Sequence, residues 1–178
     1  MEFRAHEPSK SLGVEILFSS VFTASERASE DALIRNLAKE LIANSDRHDL
    51  YGFVAVERGQ MVGAILFSRL HFETEIVVFL LAPGAVHSEY QGQGAGEAFI
   101  RHGLQELKQR RKQIVVTYGD AAFYARVGVQ PLSTERISRL VELSQPDGWL
   151  GQFLTEAPVE PVAGPCSWVE ASQNPVYW

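Results

Sequence analysis

The sequence predicts an α/β (α+β) fold with a mixed, mostly antiparallel central sheet and helices on both of its faces. Three observations carry this. Two helical patterns come first, three β-rich runs then follow in succession, and a strand–glycine turn–helix–strand unit comes after them. Successive β runs make an antiparallel meander, whereas a strand–helix–strand unit makes a right-handed parallel crossover. With 178 residues, 46% hydrophobic and 21% charged, the chain suits a single domain with a well-buried core.

The elements follow in order. "MEFRAHEP" places Phe3 and Ala5 in loose alternation and reads as a short edge strand stopped by Pro8. "SLGVEILFSSVF" reads as a short helix. "SERASEDALIRNLAKELIAN" is a longer one, with Leu33, Ile34, Leu37, Leu41 and Ile42 on one face and Ser25 or Ser29 as its cap. "YGFVAVERGQMVGAILFSRL" holds two β runs about "ERGQ", where Gly59 gives the turn its freedom, so a hairpin is expected. "TEIVVFLLAPGAV" is nearly continuous in apolar residues, which suits a central strand covered on both faces. Pro83 has no N–H for a ladder bond and Gly84 is flexible, so the strand should bulge or leave its neighbour near residue 83.

After the turn "YQGQGAGE", the apolar residues Ala95, Phe99, Ile100, Gly103, Leu104 and Leu107 form the stripe of a sheet-packing helix. Lys108, Arg110, Arg111 and Lys112 close it, and their charge offsets the helix dipole. "QIVVTYG" is a further buried strand. Asp120 is placed to cap the short helix "AAFYARVG", and "VQPL" reads as a last short strand of this region. Beyond Ser133, "TERISRLVELS" carries a short helical stripe and "WLGQFLTEAPV" holds a strand. The tail ends in Trp168, Tyr177 and Trp178, aromatic surface that should pack on the domain. Domain limits follow as a core over 1–132 and an extension over 133–178 packed on the same body.

Composition excludes several classes. The net charge of −6 speaks against sequence-independent nucleic-acid binding and is compatible with an amine-bearing substrate. No apolar run approaches the roughly 18 residues of a membrane span, and the N-terminus lacks a basic-then-apolar leader. The single cysteine, Cys166, excludes an intramolecular disulfide framework and fits a reducing cytoplasm; with no basic neighbour it reads as a passive thiol.

The most informative stretch is "HSEYQGQGAGEAFIRHGL", with Gly92, Gly94 and Gly96 at the mouth of a helix. Helix N-terminal N–H groups are unpaired and carry partial positive charge, so glycines that expose them can form a nest for a pyrophosphate. A tight strand-to-helix turn without a ligand is the alternative. A dinucleotide fold needs a small residue where Glu97 stands, and the nucleotide-triphosphatase loop needs Lys-Ser/Thr where Glu97-Ala98 stands. Both patterns therefore fit poorly.

This same stretch resembles the acetyl-coenzyme A signature of the GCN5-related N-acetyltransferase (GNAT) superfamily. The signature Gln/Arg-x-x-Gly-x-Gly/Ala is matched by Gln91, Gly94 and Gly96, within a similar Val-x-x-x-Tyr-Gln-Gly surround. "GDAAFYARVGVQPL" resembles a second landmark of the family, with Val129 in place of the usual aromatic and Ser88 where a proline is frequent in the first. The resemblance spans about residues 1–132. It implies a GNAT-like fold in which "LLAPGAV" splays from "QIVVTYG". Acetyl-CoA would be the acyl donor, with no metal. Its pantetheine arm would lie as an added strand along Ala85 and Val86. Its pyrophosphate would lie on the backbone of Gln91, Gly92, Gln93, Gly94, Ala95 and Gly96. Tyr124 would be the catalytic residue that protonates the departing thiolate, since a phenol stays protonated at neutral pH.

No general base identifies itself in the sequence. Glu75, read as part of the central strand, His87 near its end and a water chain are all candidates. The function expected is N-acetyl transfer from acetyl-CoA to a primary amine of a small molecule or protein. The alternatives are a GNAT-like module that binds acyl-CoA or a protein without efficient transfer, and a dinucleotide oxidoreductase, which would need NAD and a parallel sheet. Acceptor pockets in the family arise from variable helices and tails, here the segment Phe22–Asn44 and the aromatic tail. The hairpin edge could pair two copies into a homodimer.

Overall fold

The computed structural model describes residues 1–6, 11–23, 28–138, 146–162 and 164–169. Strand β1 (Glu2–Ala5) precedes two helices, α1 (Ser11–Thr23) and α2 (Ala28–Asn44). The meander β2 (Leu50–Glu57), β3 (Gln60–Phe72) and β4 (Val78–Val86) follows. Helix α3 (Ala95–Gln109) then crosses to β5 (Ile114–Tyr118), and α4 (Ala121–Ala125) leads to β6 (Gln130–Pro131). Two strands lie beyond: β7 (Trp149–Phe153) and β8 (Cys166–Trp168).

The strands form one sheet in the order β1-β2-β3-β4-β5-β7-β6, with β8 added to β3. Every named pairing is antiparallel except β4–β5, which is parallel as the crossover requires. The chain thus has the mixed, mostly antiparallel sheet that was expected, and the parallel sheet of a dinucleotide oxidoreductase is absent from the described residues. The hairpin turn places Arg58 at φ 49° and Gly59 at φ 80°. Positive φ at both central residues is what a two-residue hairpin with native twist needs. Strand β1 covers the outer edge of this hairpin by pairing Glu2–Ala5 with Phe53–Val56.

Strand alternation divides the core into two layers. On one face Val78 and Leu80 of β4 and Ile114 and Val116 of β5 pack with Val14, Leu17 and Phe18 of α1 and Leu37, Ala38 and Leu41 of α2. On the other, Phe79, Leu81 and Val115 pack with Phe99, Ile100, Leu104 and Leu107 of α3. Every second residue of the central strands thus serves the opposite layer, which is why those strands read as continuous apolar runs. Val129, where the family usually has an aromatic, is buried in the second layer.

The stretch beyond residue 132 enters the sheet twice. Strand β7 lies between β5 and β6 and pairs with both. Strand β8 pairs with Leu70–Phe72 of β3, just past the point where β2 begins opposite Ser68. The buried Trp168 indole N–H donates to Ser68 Oγ at 2.6 Å, which gives a buried hydroxyl a partner and fixes the tail.

Three expectations need correction. The stretch from Ser133 is not helical over its described part: the Ser133 hydroxyl accepts from Glu135 N–H at 3.1 Å, and Ile137 bridges to Val162. With the Ile137 N–H bond to the Ser133 carbonyl this makes a single turn, after which Ser138 N–H donates to Val162 O; residues 139–144 of the expected stripe lie outside the described residues. Glu75 is not on the central strand but in the exposed bend before it, because β4 starts only after Val77, whose N–H donates to the Gln113 side chain. Ser29 lies inside α2 and not at its cap. Pro8, Ser25, Tyr177 and Trp178 lie outside the described residues. Among the described residues, no helix is long and apolar enough to cross a membrane.

Gly103 sets the distance between α3 and the sheet. A Cβ there would fall 2.7 Å from a Phe67 ring carbon and 2.8 Å from Ile65 Cδ1. Gly103→Val should therefore cost about 1–3 kcal/mol through overpacking, read as a lower midpoint in urea unfolding.

Candidate functional site

The site begins where β4 leaves β5. The two strands pair only from Val78–Ile114 to Leu80–Val116. Past that point β5 stays with β7 and β4 stays with β3, so a wedge opens between them. Two local features hold it open. The register of β4 against β3 slips between the pairs Phe67–Leu81 and Ile65–Gly84, across Ala82 and Pro83. In addition, the buried Thr117 hydroxyl donates to the Leu81 carbonyl at 2.9 Å, capping the last rung with a side chain. The bulge expected at Pro83 and Gly84 is present and lies at the fork.

Beyond β4 the chain makes a 3-10 turn, Ser88–Tyr90, and then the glycine turn. Gly92 and Gly94 have φ of 69° and 77°, and nothing in the protein lies within 4 Å of a Cβ placed on either. The glycines are needed for backbone conformation, and the space above them is left open. Gly94 is the N-cap of α3 with no side-chain cap, so the N–H groups of the first helical turn have no intrahelical acceptor. Gln91 is used differently. Its backbone N–H donates to Ser88 O at 3.2 Å, and its side-chain Nε2 donates to Val86 O at 2.7 Å. It ties the turn to the end of β4. Gln93 Nε2 likewise turns back to Glu89 O at 2.7 Å.

Between these parts runs a cleft of about 1210 Å³. It takes in Ala85, Val86, Gln91, Gly92, Gly94, Gly96 and Tyr124, whereas Gln93, Ala95, Glu75 and His87 are outside its lining. The cleft passes through the sheet. Leu37, Leu80 and Trp168 on its wall belong to the α1/α2 layer, and Leu81, Phe99 and Ile100 belong to the α3 layer. The sequence did not single out Thr117 or Arg126, whereas Ile34 and Leu37 fall in the segment Phe22–Asn44, and Trp168 in the aromatic tail, that were expected to shape the acceptor pocket. Thr117 left a trace as the one aliphatic hydroxyl in an apolar strand.

Tyr124 is held on α4 by its neighbours. Asp120 caps that helix by accepting from Ala122 N–H at 2.9 Å, as its position suggested. The Tyr124 ring lies against Gly119, where a Cβ would come within 2.8 Å of it. Burial raises the phenol above its ordinary range, and a side-chain hydrogen bond with Thr117 opposes that rise. One threonine therefore links the phenol to the end of the β4–β5 ladder. His87 caps the 3-10 turn by accepting from Glu89 N–H.

Glu97 would be awkward near an anion, but its carboxylate is not alone. Arg126 reaches Glu97 Oε1 at 3.2 Å and Arg101 reaches Oε2 at 3.6 Å. Arg101 also donates to the carbonyl of Arg126, joining α3 to the end of α4. Cys166 is half-buried, and burial pushes its thiol up to about 12, so it is an inert thiol at neutral pH. No cluster of metal-ligating side chains occurs among the described residues.

Known proteins resemble this chain in sequence and in fold. Residues 48–131 match the model of the acetyltransferase (GNAT) domain. Two Escherichia coli N-acetyltransferases, themselves uncharacterized, are similar: YjhQ of strain K12 is 34% identical over 104 residues, and YhbS is 33% identical over 109. These alignments cover 57% and 56% of this chain, and 58% and 65% of those relatives' own lengths. Among solved structures, E. coli YhbS in complex with CoA has a TM-score of 0.75 at 24% identity, covering 96% of this chain and 90% of that one. A Brucella melitensis acetyltransferase in complex with acetyl-CoA has a TM-score of 0.67 at 22% identity, covering 96% of both chains. The sequence match over residues 48–131 is to a GNAT acetyltransferase domain, and the likeness to these solved structures shows a GNAT-like fold.

Gly94→Ala would force an alanine into the left-handed region without any clash. The strain should lower stability by about 1–2 kcal/mol in urea unfolding.

Proposed function

We propose that the protein transfers an acetyl group from acetyl-CoA to a primary amine, of a small molecule or a protein, by direct attack. The observation that carries this is the cleft that joins unpaired helix-terminal amides, a parted pair of strands and a buried tyrosine. That the E. coli YhbS and Brucella structures are complexes with CoA and acetyl-CoA supports the choice of donor.

In this reading the pyrophosphate rests on the backbone from Gly92 to Gly96, where no β-carbon intervenes at the glycines and the helix dipole favours an anion. Gln91 acts by its side chain, anchoring the turn to Val86. The two arginines on Glu97 keep its charge from opposing the phosphates. The pantetheine arm lies in the wedge beside Ala85 and Val86, filling the place of the strand that β5 vacates. That places the thioester near the fork, where Thr117 and Tyr124 meet. Residues 1–132 form the catalytic core in this account, and 133–178 pack on it as an extension of the same domain.

The chemistry then balances as follows. The amine, having given one proton to solvent, attacks the thioester carbonyl carbon and forms the C–N bond. The C–S bond breaks, and the departing thiolate takes the Tyr124 phenol proton. The nitrogen's surplus proton leaves through water, and the phenolate is reprotonated. Burial moves Tyr124 ionisation to higher pH, so the phenol remains a donor throughout the neutral range.

The test is titration calorimetry with acetyl-CoA, followed by CoA release against an amine panel. Heat on binding and amine-dependent release are expected. Absence of heat would overturn the reading, and heat without release would favour a binding module. Tyr124→Phe should lower kcat about 10²–10⁴-fold with acetyl-CoA affinity unchanged. Wild-type kcat should show no loss to phenol ionisation below about pH 10.

A further inference from the structure

We propose that the acceptor is a small primary amine on an apolar body, an arylalkyl or alkyl amine, seated between α2, β4 and β8. This rests on the acetyl-transfer reading above. The cleft has two halves because it crosses the sheet. A donor held at the glycine turn occupies the half on the α3 side. The amine must reach the thioester from the other half.

The described side chains of that other half are mostly apolar. They are Ile34 and Leu37 of α2, Leu80 and Ala82 of β4 and Trp168 of β8, with the Tyr118 phenol on the same face of β5 as Val116. Trp168 is 3% exposed, and its N–H is engaged by Ser68 at 2.6 Å, so its contribution to the cleft is ring surface. Such a ring offers an apolar body stacking and edge contacts. Among the described residues, the only lysine, arginine, aspartate or glutamate side chains on the cleft wall are Glu97 and Arg126. They come from α3 and the end of α4 and pair with each other at 3.2 Å. A polycationic acceptor would therefore bring its remaining charges into an α2–β8 half whose described lining holds no carboxylate, which is unfavourable.

The same lining bears on the missing base. Neither Glu75 nor His87 lines the cleft, and Glu97 is held by two arginines. An ammonium entering apolar surroundings loses hydration, and this favours the neutral, nucleophilic amine. The proton passes to solvent as the amine enters. Binding among carbon side chains thus supplies part of what a general base would supply. It also selects amines whose bodies gain from burial.

The experiment compares kcat/KM for 2-phenylethylamine and spermidine at one pH, with the full chain saturated in acetyl-CoA and donor binding checked by calorimetry. 2-Phenylethylamine should be preferred at least tenfold. In addition, Ile34→Glu should raise KM for 2-phenylethylamine at least tenfold and lower that for spermidine, while KM for acetyl-CoA stays within twofold. If acetyl-CoA binds and spermidine is the equal or better acceptor, or neither amine is acetylated, the acceptor assignment falls alone. If acetyl-CoA gives no heat, the transfer reading falls and takes this assignment with it. The wild-type comparison decides the matter even if the variant does not fold.

Discussion

A parallel pair of strands that stops pairing after three rungs organises this molecule. Strand β4 is committed to β3 and β5 to β7, so neither can close the gap without abandoning its other partner. Pro83 lacks the N–H that a further rung would use, and Thr117 occupies the Leu81 carbonyl with its side chain. The backbone groups facing the gap would be costly to bury unpaired, which gives an extended ligand something to bind. The cleft, the position of Tyr124 and the division of the core into two halves all follow from that separation.

The glycine turn depends on the same fork. The final pairs of β4 with β3, at Ala85 and Val86, carry the chain out to the turn, and Gln91 ties back to the Val86 carbonyl. The α3 N-terminus is therefore positioned relative to the wedge by hydrogen bonds. Gly103 sets how closely that helix lies against Phe67 and Ile65. The unpaired amides at the α3 N-terminus are thus tied to the strand edge. Arg101 and Arg126 join α4, and with it Tyr124, to α3.

The opposite face is built by other means. Helix α2 and the tail strand β8 are far apart in the chain, yet Leu37 and Trp168 both reach the cleft. They join the wall through packing on β3 and β4, with the Trp168–Ser68 bond fixing the tail. In the proposed reading, changing α2 and the tail while conserving the fork would alter the acceptor half and leave the donor half intact.

The sequence alone determined most of the element order, because hydrophobic period and turn residues are local properties. The alternation through "VFLL", the α3 stripe from Phe99 to Leu107 and the Asp120 cap were all legible there. So was the strand disturbance at Pro83. The turn residues were legible as well, but that the Gln91 backbone N–H is bonded within the preceding turn is invisible in a motif. Glu75 was misplaced because strand ends are set by tertiary hydrogen bonds such as Val77 to Gln113. Within the described part of the stretch after Ser133, Ile137 bridges to Val162, a contact between residues distant in the chain. Only the tertiary structure brought Ile34, Leu37, Thr117 and Trp168 together around one cleft. Local pattern fixes which residues are apolar or able to turn, whereas shared space between distant segments is settled by how the layers pack.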